Sequence, residues 1–269
     1  MSINGLIDTH CHLQFSQFDD DRAEMIMRAH QVGVTHFVVP GVTAASWPQQ
    51  RDYAQRYQHW FNAFGLHPYF IDEHRDAHLR QLVDELERGG AVAVGEIGLD
   101  ATCGDMDKQR QLFEQQLKLA AKFQLPVILH HRKTLDEMLQ RVRDSGLLES
   151  LQNRRVPGVV HAFSGSEQQA QAWVDAGFKL GIGGVITYER ANKTRNAVAA
   201  MPVEALVLET DSPDMPTAGK QGERNEPAYM TRVFDALCEL RSENPHQLRL
   251  VLRKNSQALF RLDGVEPAP

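Results

Sequence analysis

The chain holds twelve histidines, and several of them stand just after short apolar runs. The first group reads Asp8-Thr9-His10-Cys11-His12. Side chains alternate along a strand, so Asp8, His10 and His12 are expected on one face and Ile7, Thr9 and Cys11 on the other. Two imidazoles two residues apart can reach one metal ion, or they can be two histidines in ordinary hydrogen bonds. Cys11 reads as a small packing residue. His67, in Gly65-Leu66-His67-Pro68, can line a pocket or touch substrate. Glu96 follows the run Ala91–Val94. A carboxylate there is costly unless paired or bound to a cation, and between two cations it can bridge. Asp100 has the parity of Glu96 and suits a capping or supporting role as well as ligation.

After Val127-Ile128-Leu129 come His130, His131 and Arg132. The two histidines point to opposite faces, and spacing alone leaves open which one looks inward. Arg132 shares the face of His130. A guanidinium there suits a bidentate grip on phosphate or carboxylate, or a structural ion pair. His161 follows Val159-Val160, and Glu209 and Asp211 follow Leu206–Leu208 with shared parity. Imidazole and carboxylate together form a borderline donor set suited to Zn²⁺, Mn²⁺, Ni²⁺ or Fe²⁺. Six such donors with one bridging carboxylate suffice for two ions, the usual hydrolytic pair.

The elements that must position these residues are eight apolar runs. They are Leu6–Asp8, Val34–Val39, Trp60–Leu66, Ala91–Val94, Pro126–Leu129, Gly158–Val160, Phe178–Ile182 and Leu206–Leu208. Helical periodicity fills most gaps between them: Asp20–Val32, His74–Arg88, Asp107–Lys122, Thr134–Arg143, Glu167–Ala176 and Pro227–Arg241. Asp107 and Thr134 suit N-caps, and Gly33, Gly89 and Gly177 stand where helices should stop. Asn244–Leu262 reads as a closing helix. Strand and helix alternate, which implies βαβ units and a parallel sheet. Eight units in 269 residues favour an α/β fold of the (β/α)8 TIM barrel type, whose active sites lie where the strand C-termini meet. No glycine-rich phosphate loop opens a helix after a strand, which weakens an open nucleotide-binding sheet. Residues 1–265 are expected to form one barrel, with 266–269 a tail.

The formal net charge of −6 argues against a broad basic surface for gripping nucleic acid. Three cysteines form no disulfide or zinc-knuckle spacing. No signal-peptide pattern or membrane-length apolar run is present, so a cytoplasmic location is expected, without a membrane or an obligate protein partner.

In order and spacing these segments resemble the TatD family of metal-dependent hydrolases, within the amidohydrolase-like barrels and nearest its YjjV-type branch. The resemblance spans nearly the whole chain. It rests on Asp8–His12, Gly65–Pro68, Gly95–Asp100, Leu125–His130, His161–Gly165, Glu209–Pro213, Asn225–Pro227 and the closing Asn255–Phe260. It implies that His130 ligates and His131 does not, and that Asp211 ligates and Glu209 does not. His10, His12 and Asp211 would hold one divalent cation, His130 and His161 the other, and Glu96 would bridge them. The ions would be Zn, Mn, Mg or Ni. Family members often carry an aromatic pair after Gly-Leu-Asp, where this chain has Ala101-Thr102. The expected reaction is phosphoester hydrolysis, by resemblance that of DNA, at ends or in single strands. Asp211 and Glu96 would be catalytic, and Arg132, His67 and Arg224 would bind substrate. Lys220 and Arg224 can hold flanking phosphates or simply be solvated. The competing readings are hydrolysis of a small-molecule C–N or C–O bond by the same site, and a metal-binding module without catalysis.

Overall fold

The computed structural model describes residues 5–151 and 155–262. The expected domain end at 265 and the tail 266–269 lie outside the described residues. Eight strands pair in chain order: β1 (Leu6–Asp8), β2 (Val34–Pro40), β3 (Trp60–Phe64), β4 (Ala91–Asp100), β5 (Val127–Arg132), β6 (Gly158–Val160), β7 (Lys179–Ile182) and β8 (Leu206–Leu208). Every adjacent pair is parallel. The seam between β8 and β1 is spanned by Thr9 N–H donating to Leu208 O (3.0 Å) and Asp211 N–H donating to His10 O (2.9 Å). The result is the (β/α)8 TIM barrel, nearly closed.

Two apolar layers follow from strand alternation. Inside the barrel, Ile7, Val38, Ala63, Ala93, Ile128, Val159 and Val207 pack together, and Leu259, Phe260 and Leu262 plug the end away from the strand C-termini. Leu259 and Phe260 end the closing helix, which runs Pro245–Phe260, and Leu262 lies just past it. Outside, Phe37, Val39, Phe64, Val94, Leu129, Val160 and Leu208 meet the helices. Burying side chains of this size stabilises by roughly 1.5–3 kcal/mol each, so the two layers hold the strand ends in fixed positions.

Several helices fall within a residue or two of the sequence pattern, among them α1 (Arg22–Gln31), α3 (Asp76–Glu87), α4 (Met106–Phe123) and α5 (Leu135–Asp144). Gly33 and Gly177 adopt φ of 85° and 87° just past helix ends, a conformation that L side chains resist. The cap of α4 is Asp105, whose side chain accepts from Lys108 N–H; Asp107 sits in the first turn instead. Two helices carry little apolar periodicity: α2 (Trp47–Arg56) and α8 (Asn192–Ala200). In α2 the inward face is Trp47, Gln50 and Tyr53, and the polar Gln50 between the two rings donates to Val39 O at 2.6 Å and Ala63 O at 3.0 Å. Among the described residues no helix is long and apolar enough to cross a membrane.

Candidate metal centre

The strand parity expected for β1 holds only in part. Ile7, not Asp8, joins the barrel interior, and the strand ends at Asp8. Asp8 turns to β8, where it accepts from Thr210 N–H (3.0 Å) and Thr210 Oγ1 (2.6 Å). The chain then bends, so His10 and His12 reach the centre without Asp8. Cys11 packs in the outer layer, as its size suggests.

A second irregularity delivers Glu96. The β4–β5 register shifts between Val94 and Ile97, which lets Glu96 point inward although Ala93 already does. Gly98, at φ 154°, permits the close approach to β5: a Cβ there would lie 2.0 Å from His130 O. Two glutamines of α4 pin the strand ends. Gln116 accepts from Leu66 N–H at 2.8 Å, and Gln109 accepts from Asp100 N–H at 2.9 Å. Local sequence pattern does not mark this pair as functional. Its signal was two polar residues seven apart within the apolar stripe of α4.

Glu96 is 1% exposed, and its two oxygens face different imidazoles. Oε2 lies 3.1 Å from His10 Nε2 and 3.3 Å from His12 Nε2. Those two nitrogens are 3.2 Å apart, and each is 3.6 Å from Asp211 Oδ1. Oε1 lies 3.0 Å from His67 Nε2, 3.1 Å from His130 Nδ1 and 3.8 Å from His161 Nε2. Burial works against the Glu96 charge, yet His67, His10 and His161 hold the carboxyl well below its usual range.

His67 has a different tautomeric constraint from the rest. Its Nδ1 accepts from Tyr69 N–H at 3.0 Å. Burial lowers its pKa to about 4, so the ring is neutral with its proton on Nε2, donating to Glu96. It holds the carboxylate in place. His130 is fixed by Asp100, whose Oδ2 is 3.2 Å from Nε2. His161 stacks on His10 with centroids 3.5 Å apart, and its Nδ1 is 2.8 Å from Glu209 Oε1. Burial opposes charge on His161, but Glu209, Asp211 and Glu96 outweigh it and raise the pKa to about 10. Burial pushes Asp211 up to about 6 against the pull of His161 and His12.

The donors fit divalent cations. Three groups each gather ligand atoms within 4.8 Å of one another: His10, His12 and Glu96; His67, Glu96 and His130; His10, His161 and Glu209. A cavity of about 530 Å³ opens over them, with His12, Glu96, His130, His161 and Asp211 in its floor and Tyr69, Phe70 and Arg132 in its wall. His131 also borders it. Arg224 does not. Its guanidinium grips Asp21 through two 2.7 Å bonds and lies 4.6 Å over the Phe18 ring. Lys220 likewise stands apart, paired with Glu223 at 2.8 Å.

A parallel eight-stranded barrel whose C-terminal rim gathers imidazoles around a buried carboxylate defines the metal-dependent hydrolase class. The sequence profile of the family described as TatD related DNase matches residues 7–261. The chain belongs to this TatD family. It is 45% identical to the uncharacterized metal-dependent hydrolase YjjV of Escherichia coli K12, over 94% of this chain and 97% of that protein. It is 32% identical to the 3'-5' ssDNA/RNA exonuclease TatD of Salmonella typhimurium, over 95% and 98%. The crystal structure of YjjV from Escherichia coli superimposes with a TM-score of 0.91 at 44% identity, covering 97% of this chain and 99% of that one.

Proposed function

We propose that this metal-dependent hydrolase cleaves phosphodiester bonds of nucleic acid, using two divalent cations. The observation that carries the reading is Glu96, whose Oε2 faces His10 and His12 and whose Oε1 faces His130 and His161, at 3.1–3.8 Å. Such a carboxylate can serve two cations at once. On this reading His10, His12 and Asp211 would hold one cation, His130 and His161 would hold the other, and Glu96 would serve both. Bound cations supply Lewis acidity and lower the pKa of water.

The protein groups do the rest. His67, Asp100 and Glu209 each hold a site residue in position, through Glu96, His130 and His161 respectively. Asp211, whose Oδ1 lies 3.6 Å from both His10 Nε2 and His12 Nε2 at the cavity floor, would accept the proton of the attacking water as well as ligate. Arg132 neutralises charge growing on the phosphoryl oxygens. Arg224 is spoken for by Asp21 and takes no part. The nucleic-acid substrate is supported by the exonuclease name of the Salmonella relative.

The test strips the purified protein with chelator and assays a single-stranded oligonucleotide with and without Mn²⁺, Mg²⁺ or Zn²⁺, beside lactone and amide substrates. Metal-dependent phosphodiester turnover that Glu96→Ala abolishes is expected. Turnover confined to the lactone or amide panel would replace the phosphodiester with a carbon-centred bond. None on any substrate would retire the hydrolytic mechanism.

A further inference from the structure

We infer that Tyr69 is a stacking platform for an unpaired nucleobase beside the scissile phosphate. The inference rests on the phosphodiester reading above and names the residue that selects within it. Tyr69 is 65% exposed, one of three large hydrophobic side chains so placed among the described residues. A lone exposed aromatic is ordinary on a protein surface; the position of this one is not. It borders the cavity over the carboxylate and imidazole cluster. It belongs to the 3₁₀ turn Pro68–Phe70 directly after His67, and its N–H donates to His67 Nδ1. The far side of that imidazole meets Glu96. Tyr69 is thus tied through one ring to the centre of the site.

Phe70 braces it. The two rings meet edge to face at 5.2 Å, and Phe70 meets His67 the same way at 6.1 Å. The sheet order adds the other half of the argument. Glu96 stands on β4, with β3, whose following turn carries Tyr69, on one flank and β5, which ends at Arg132, on the other. No hydrogen bond or ion pair holds the Arg132 guanidinium among the described residues, although other arginines of the chain are firmly paired. A π-face on one flank and a free guanidinium on the other match the two parts of a nucleotide, its base and its phosphate. A base paired and stacked within a duplex cannot offer its face to a side chain without first being extruded, which favours unpaired ends. Phe15, Tyr69 and Phe70 are the phenyl and phenol rings bordering the cavity, and among them only Tyr69 is exposed.

The experiment uses the full chain and a dye-labelled single-stranded decanucleotide, with a normal or an abasic terminal residue. Affinity is read by anisotropy in chelator, and kcat and KM are read separately in Mn²⁺. Wild type should prefer the base-bearing strand by roughly tenfold or more, and Tyr69→Ala should erase that preference. Tyr69→Phe should restore it, and the cost should fall on KM rather than kcat. Equal weakening of both strands by Tyr69→Ala, or no effect on either, overturns the inference. Base-selective binding that depends on Tyr69 but leads to no turnover would retire the hydrolytic reading and keep the stacking site. Turnover indifferent to Tyr69 would do the reverse.

Discussion

Glu209 Oε1 lies 2.8 Å from His161 Nδ1 and also accepts a 2.6 Å hydrogen bond from Ala162 N–H. Glu209 is fully buried. With Nδ1 facing this carboxylate, Nε2 of His161 is left pointing at Glu96 and Asp211. The arrangement is the carboxylate–histidine pairing that sets ring orientation and basicity in metal sites. It explains why Glu209 and Asp211 share parity yet serve different purposes: one supports an imidazole from behind, and the other meets the cavity.

Glu209→Gln should therefore keep the volume, lose the charge and loosen the His161 ring. Outer partners of this kind typically affect metal affinity by about 10–100-fold. Titrating Zn²⁺ or Mn²⁺ by calorimetry into wild type and variant checks this. An unchanged dissociation constant for every equivalent of metal would show that His161 needs no such partner.

The room for Glu209 comes from β7. A Cβ at Gly181 would lie 2.1 Å from Glu209 Oε2, whereas one at Gly183 would find its nearest neighbour, Glu209 Cγ, at an ordinary 3.6 Å. Gly181→Ala should lower thermal stability by a few degrees and weaken metal binding together, because the carboxylate must move. Gly183→Ala should change neither by a comparable amount. Melting curves with and without Mn²⁺ separate the two, and equal behaviour of both variants would contradict the clash.

Much of this was legible in the chain, because a barrel forces inward and outward alternation onto short apolar runs. All eight strands were visible that way, as was the gathering of His10, His12, Glu96, His130, His161 and Asp211 at one rim. What escaped was structure that departs from periodicity. α2 interrupts its inward face of Trp47 and Tyr53 with Gln50, and α8 buries only Thr194, Ala197 and Val198. Glu96 faces inward through a register shift that no alternation rule foresees, and the bend after Asp8 separates that residue from the histidines with which its parity grouped it. Arg224 had the right chemistry for phosphate, but its partner Asp21 lies 203 residues away in sequence, beyond what local pattern can reveal.

Arg132 stands in the cavity wall without a hydrogen-bond or ion-pair partner among the described residues, so its removal should spare the fold. A charge-assisted hydrogen bond contributes about 1.5–3 kcal/mol, and Arg132→Ala should lower kcat/KM on a charged phosphodiester by roughly ten- to a hundredfold. Arg132→Lys should recover only part, because an ammonium lacks the planar fork. Steady-state kinetics beside a melting curve checks both. A fall in stability matching the fall in activity would mean that the guanidinium supports the structure instead.

The pairing of Asp21 with Arg224 and Arg28 should appear in the response to acid. Asp21 begins α1, and its carboxylate receives bonds from Arg224 at 2.7 Å and Arg28 at 2.9 Å. Arg28 continues to Glu226 at 2.6 Å, tying α1 to the loop after β8. The hydrogen bonds from Arg224 and Arg28 hold the Asp21 carboxyl well below the usual carboxylate range. A depressed folded pKa contributes stability that is complete above the unfolded value, about 3.9, and is lost as pH falls towards the folded one. With Asp21 about a third exposed, screening limits the contribution at neutral pH to about 1 kcal/mol. Urea denaturation should show Asp21→Asn less stable than wild type by that margin at pH 7 and pH 5, and the gap should narrow at pH 3. A gap that widens on acidification would mean that Asp21 is not the charged partner of this cluster. Arg224→Ala should lose the same increment, with kcat/KM on the oligonucleotide within about twofold of wild type, since an additive surface effect of this size does not reach the cavity.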